Sequence, residues 1–152
     1  MKTQTSPLQL ETHHFTRIDV SVREGDVDDT DFRIACETGY AVDEENPQRH
    51  RVSLKVVLGA EPGTRPPYVG EVEAVGYFKV LDGWPEEKII SLVSINGPSV
   101  LYGAIREMIL NLTGRFPHGA IQIPTVRFPP LEKEEPKKRV KKLARKRAKI
   151  TK

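Results

Sequence analysis

The sequence predicts an α+β fold: a four-stranded antiparallel sheet packed by one long helix and a short helix. Four segments alternate apolar and polar residues with period 2, as a sheet with one buried and one wet face requires. The connections between them, REGDVDDTD, DEENPQ and EPGTRPP, are polar or proline-rich and too short for parallel crossovers. After Val80 the apolar period lengthens to that of a helix.

The first strand, over 14–22, places Thr16, Ile18, Val20 and Val22 opposite Arg17, Asp19 and Ser21. In the second, over 32–42, Phe32, Ile34, Cys36, Tyr40 and Val42 oppose Arg33 and Glu37. Val52, Leu54, Val56 and Leu58 mark the inner face of the third, over 51–59. In the fourth, over 68–80, Tyr68, Val72, Ala74, Phe78 and Val80 oppose Glu71, Glu73 and Lys79. Pro85 suits a first helical turn, and Glu86 and Glu87 suit its positive end. Asn96-Gly97 is expected to break this short helix. Pro98 then opens the long one, where Leu101, Ala104, Ile105, Met108, Ile109 and Leu112 recur at helical spacing until Gly114 and Pro117 stop it. That stripe is too wide for one small sheet to cover, which points to self-association.

The stretch RFPHGAIQIPTVRFPP, residues 115–130, holds four prolines and a glycine, which rule out a helix and interrupt any strand. It nonetheless carries Phe116, Ile121, Ile123, Val126 and Phe128. Together with Trp84 in the loop after the fourth strand, these residues read either as a satellite core patch or as a stiff wall for extended apolar chains. Proline-fixed loops lose little entropy on binding, and a nearby sheet edge adds main-chain hydrogen bonds.

The formal net charge of +3 is split. Residues 131–152 carry eleven Lys/Arg and three Glu, a net of +8; residues 1–130 carry thirteen basic and eighteen acidic residues, a net of −5. The chain therefore divides into a domain over 1–130 and a basic, mostly disordered tail over 131–152, either a solvated end or an anchor for nucleic acid or an acidic partner. Neither HExxH, a CxxC pair, GxSxG nor a phosphate loop occurs, so no enzyme, cofactor or metal site is expected. His13 and His14 point to opposite faces of their strand, and the run Asp26, Asp28, Asp29, Asp31 lacks the spacing of a calcium loop. The lone Cys36 reads as a buried structural residue. No run of eighteen apolar residues and no apolar leader occur, so the expected compartment is the cytoplasm.

The order LQLETHHFTRIDVSV (8–22), GEVEAVGYFKV (70–80), PEEKIISLVSINGPSVLYGAIREMILNLTGRFP (85–117) and IQIPTVRFPP (121–130) resembles the SecB family of export chaperones and its SecB-like relatives. The resemblance covers roughly residues 8–130. It implies a homotetramer built as a dimer of dimers, and a holdase that binds unfolded polypeptide clients without nucleotide. It places the client groove at Trp84, Phe116, Ile121, Ile123, Val126 and Phe128. It matches Asp19, Val69 and Glu71 to the face that docks the SecA translocation motor, and Gly70, Val72 and Ala74 to positions that tune assembly. The family's next acidic position on the first strand falls on Arg23, and its acidic C-terminus is replaced here by a basic run. Two roles fit the same core, general protein export and service to a toxin–antitoxin pair. A separate alternative is nucleic-acid binding through residues 133–152.

Overall fold

A computed structural model describes residues 1–27 and 32–131. It contains strands β1 (Leu8–Val22), β2 (Ile34–Val42), β3 (Arg49–Leu58) and β4 (Tyr68–Val80), a 3-10 turn at Glu86–Lys88 and helix α1 (Ile89–Thr113). All neighbouring strands are antiparallel, in the order β1-β4-β3-β2. The tail lies outside the described residues.

Period 2 becomes burial most cleanly in β3, where His50, Val52, Leu54, Val56 and Leu58 turn inward and their neighbours turn out. β1 is longer than the alternation indicated and carries two bulges, at Glu11 and Thr16. The second bulge resets the face. Phe15 and Ile18 pair with the inward Ala74 and Val72, whereas the Thr16 hydroxyl donates to Glu73 Oε1 at 2.9 Å. The expectation that Thr16 shares a face with Ile18 is thereby corrected.

The larger correction concerns the helix. Asn96-Gly97 breaks nothing, and one 25-residue helix runs through Pro98. Proline removes the N–H that would bond the Ser94 carbonyl, a defect worth roughly 3 kcal/mol inside a helix. Here the Tyr40 hydroxyl, reaching up from β2, donates to that carbonyl at 3.1 Å. Asn96 Nδ2 and Ser99 Oγ donate in the same way to the Leu92 and Ile95 carbonyls, at 2.9 and 2.6 Å. Gly97 is needed for a different reason. A Cβ there would lie 2.9 Å from Val52 Cγ2, so the helix presses its backbone onto β3. Val93, Gly97, Leu101, Ile105, Ile109 and Thr113, each four apart, form the buried row. By length and composition the Glu86–Thr113 stretch is apolar enough to cross a membrane, yet this row is spent on the sheet.

Tyr40→Phe is expected to cost about 1–2 kcal/mol, the usual penalty for leaving a buried carbonyl without a donor. In a Pro98→Ala background, where the backbone N–H returns, the same change should cost only a few tenths. A denaturant double-mutant cycle that finds the two effects additive would disprove the link.

Candidate functional site

Beyond α1 the chain tightens rather than stopping at a left-handed glycine. Gly114 keeps helical angles, Arg115 and Phe116 bond back to Leu112 and Thr113, and the left-handed turn comes at Gly119 (φ 82°). Residues 120–131 then run back along the helix as a strap without regular secondary structure. Three helix side chains hold it. The Thr113 hydroxyl accepts from the Ile121 N–H at 3.0 Å, the Tyr102 hydroxyl donates to the Pro124 carbonyl, and Ser94 Oγ accepts from the Leu131 N–H at 3.1 Å. As strap numbers rise, anchor numbers fall, so strap and helix are antiparallel. Pro124, Pro129 and Pro130 have no N–H, which keeps the strap from continuing the sheet.

Between these anchors Ile123 and Phe128 are 1% and 8% exposed and belong to the core, with Phe128 edge-on to Tyr102. Ile121 and Val126 are only half-buried against the same core, as are Phe32, Ile34, Cys36 and Tyr40. α1 lies chiefly over β4, β3 and β1, and on the β2 side Ser94 holds both Tyr40 of β2 and Leu131 of the strap. At one end the Tyr68 ring sits between Phe32 and Phe116, with centroids 6.5 and 5.5 Å away, and its hydroxyl donates to the Gly119 carbonyl at 2.7 Å. The result is a half-covered apolar strip along the edge strand, floored by the core and aromatic at one end.

Burial pushes the Tyr102 hydroxyl up to about 12, so it stays a donor throughout the physiological range. Burial also raises the Cys36 thiol, which is half-buried rather than fully enclosed and stays a poor nucleophile. Among the described residues no group of three or more His, Cys, Asp or Glu is placed to hold a metal ion.

Several positions read from the sequence fall differently. Trp84 is exposed in the loop before the helix, whereas Phe116 follows its far end. Twenty-five helical residues, about 37 Å, separate them, so the six groove residues do not form one patch. Ile123 and Phe128 face the protein's own interior. Asp19, Val69 and Glu71 do share the outer face, with Asp19 directly opposite Glu71. Arg17 lies between the two carboxylates, 3.3 Å from Asp19 and 2.9 Å from Glu71, and offsets one of their two charges. Val72 and Ala74 are fully buried beneath the helix, and Gly70 (φ 134°) lies where a Cβ would fall 1.8 Å from the Asp19 carbonyl oxygen. An influence of these three on assembly would have to pass through packing.

The sequence reading missed the anchors. Ser94 and Thr113 are polar groups on the buried side of an apolar helix, both fully enclosed. Such hydroxyls need partners, and that requirement was the available signal.

By sequence alone the chain matches no family model and no curated protein. By structure it matches a Mycobacterium tuberculosis SecB-like chaperone, Rv1957, solved in complex with a ChAD peptide from the Rv1956 HigA1 antitoxin. The likeness has a TM-score of 0.57 at 18% identity and covers 80% of this chain and 92% of that one. The chain has the SecB-like fold.

Releasing the anchors should free the strap without unfolding the helix. In Ser94→Ala with Tyr102→Phe, amide exchange at 123–131 should speed up at least tenfold, while the middle of α1 stays protected. Unchanged exchange would mean that apolar burial alone holds the strap. Alkaline stability supplies a second reading. A tyrosine at 10.0 when unfolded and about 12 when folded keeps its full contribution below pH 10 and loses it as pH rises towards 12. Tyr102→Phe should flatten that part of the pH–stability curve.

Proposed function

We propose that this SecB-like fold serves as an ATP-independent holdase that binds unfolded or precursor polypeptides along the strip between β2 and the strap. The observation that carries the reading is the placement of half-buried apolar groups beside an edge strand. Among the described residues β2 pairs with β3 alone, so its outer N–H and C=O groups form a sheet edge that an extended chain could extend. Phe116 before the strap and Ile121 and Val126 on it are the client contacts; Ile121 and Val126 pack on the same core as Phe32 and Ile34, and Phe116 shares the Tyr68 ring with Phe32. Ile123 and Phe128 join only if the strap lifts, and Trp84 contacts clients outside the strip. The net charge of −5 over residues 1–130 favours clients carrying basic residues. A SecB-like chaperone of the same fold bound to an antitoxin peptide supports polypeptide recognition of this kind.

Two client roles fit, and one contact weighs between them. Export would use Asp19, Val69 and Glu71 to dock SecA, but Arg17 already engages both carboxylates and offsets one of their two charges. We therefore favour a dedicated client, such as the antitoxin of a toxin–antitoxin pair, over general export. The protein works as a homo-oligomer, a dimer of dimers, in the cytoplasm. Exposed Ile18 on β1 and Val100 on the helix supply apolar surface for assembly. Nucleic-acid binding through residues 133–152 is the other reading of the tail. Within the described residues the cations Arg17, Arg33, Arg49 and Lys55 are already ion-paired.

The protein should suppress aggregation of a reduced, unfolded client without nucleotide. Phe116→Asp with Ile121→Asp should weaken client binding about tenfold or more, because each lost apolar contact is worth about 1–2 kcal/mol. Solution mass should stay unchanged. Full protection by that double variant would refute the strip, and a monomer in solution would refute the assembly.

A further inference from the structure

The strap ends beside the opposite pole of the molecule from Phe116, and that pole carries an unpartnered apolar surface. Leu81, Trp84, Ile90 and Leu131 are all exposed there, between 38% and 46%. They belong together because Leu131 is bonded to Ser94, one helical turn from Ile90, and Trp84 immediately precedes the helical segment. Two acidic loops border this surface. The β2–β3 loop bears Asp43, Glu44 and Glu45, and the loop into the helix bears Asp82, Glu86 and Glu87. The loops lie side by side, since the Val80 N–H bonds the Gln48 carbonyl at 2.9 Å and Gln48 Nε2 donates to Asp82 at 2.5 Å. None of Glu44, Glu45, Glu86 and Glu87 has an ion-pair partner among the described residues. Lys88 follows these glutamates in the chain, and Arg49 is committed to Glu11 at 3.3 Å.

What leaves the structure at Leu131 has the complementary chemistry. Residues 132–152 begin with Glu132, Lys133, Glu134, Glu135 and Pro136, then carry ten Lys/Arg from Lys137 onward, with Val140, Leu143 and Ile150 among them. Six residues of chain from Leu131 to Lys137 reach at most about 20 Å, so the first cations are within range of the acidic loops. Glu132, Glu134 and Glu135 have the same sign as the acidic rim and Lys133 offsets only one of them, so the charge complementarity begins at Lys137.

We propose that residues 137–152 dock in cis on this pole, their apolar groups against Trp84, Ile90 and Leu131 and their cations against the carboxylates of the two loops. The docked segment is an internal competitor for basic clients approaching that end of the strip. This consequence rests on the holdase reading, but the docking does not.

Trp84 is the only tryptophan in the chain, so its fluorescence reports docking directly in the full-length protein, with no client present. Acrylamide, a neutral quencher, should reach Trp84 several-fold less well at low salt than at about 0.5 M salt, where the Debye length falls to a few ångströms. Glu86→Lys with Glu87→Lys should abolish that difference, provided circular dichroism shows an intact fold. Lys141→Gln with Lys142→Gln and Arg145→Gln should abolish it independently, without touching the folded body. Quenching that ignores salt and both variants overturns the proposal. Protection that grows with protein concentration overturns docking in cis, since it places the segment on a second copy. Retention of a short oligonucleotide with Trp84 unaffected makes the segment a nucleic-acid arm and also overturns it.

Discussion

One helix is narrower than the sheet it must cover. Four strands about 4.8 Å apart present an inner face some 14 Å wide between outer axes, and a helix with its side chains covers about 10 Å. α1 resolves this by lying over β4, β3 and β1, with Gly97 pressed onto Val52. The inner face of β2 is left over, and the strap fills part of that gap. Its incomplete cover is what creates the candidate site. A wider helical layer would have buried Phe32, Ile34 and Cys36 outright.

Covering the sheet with proline-rich segments creates a hydrogen-bond problem, and the same few side chains solve it. Pro98 orphans the Ser94 carbonyl, which Tyr40 satisfies from the strand below. The strap cannot pair as a strand, so Thr113, Tyr102 and Ser94 hold its main chain at separate points. Ser94 joins the two arrangements, with its carbonyl bonded to β2 and its hydroxyl to the strap. A segment held at three points and apolar between them is well placed to yield locally to a client without loss of the fold.

Charge is arranged on a longer scale. On the outer face Arg17 spans Asp19 and Glu71, and Lys55 meets Glu37 at 2.7 Å, so the acids there are partly offset. Exposed pairs of this kind add little stability, but they weaken the negative potential that an acidic docking face needs. The uncompensated carboxylates collect instead on the loops at the N-terminal end of α1, the end where the strap delivers the basic segment.

The four strands, their antiparallel pairing and the helical character of 85–113 were legible because one-sided burial forces period 2 on strands and a repeating stripe on helices, but the order β1-β4-β3-β2, which parts β1 from β2, was not. Tyr68–Val80 was bounded to the residue for that reason. The continuity of the helix was not legible, because Pro98 and Gly97 are breakers by local propensity and are rescued only by Tyr40 and Val52 on distant strands. The strap's composition gave away an apolar, extended segment, but not which side chains face in. Ile123 and Phe128 turn to the core while Ile121 and Val126 remain half-open, and no period in a proline-rich stretch encodes that choice. Local sequence determined which segments could bury a face. Tertiary structure alone decided which faces remained partly uncovered, because that depends on how far one helix reaches across four strands.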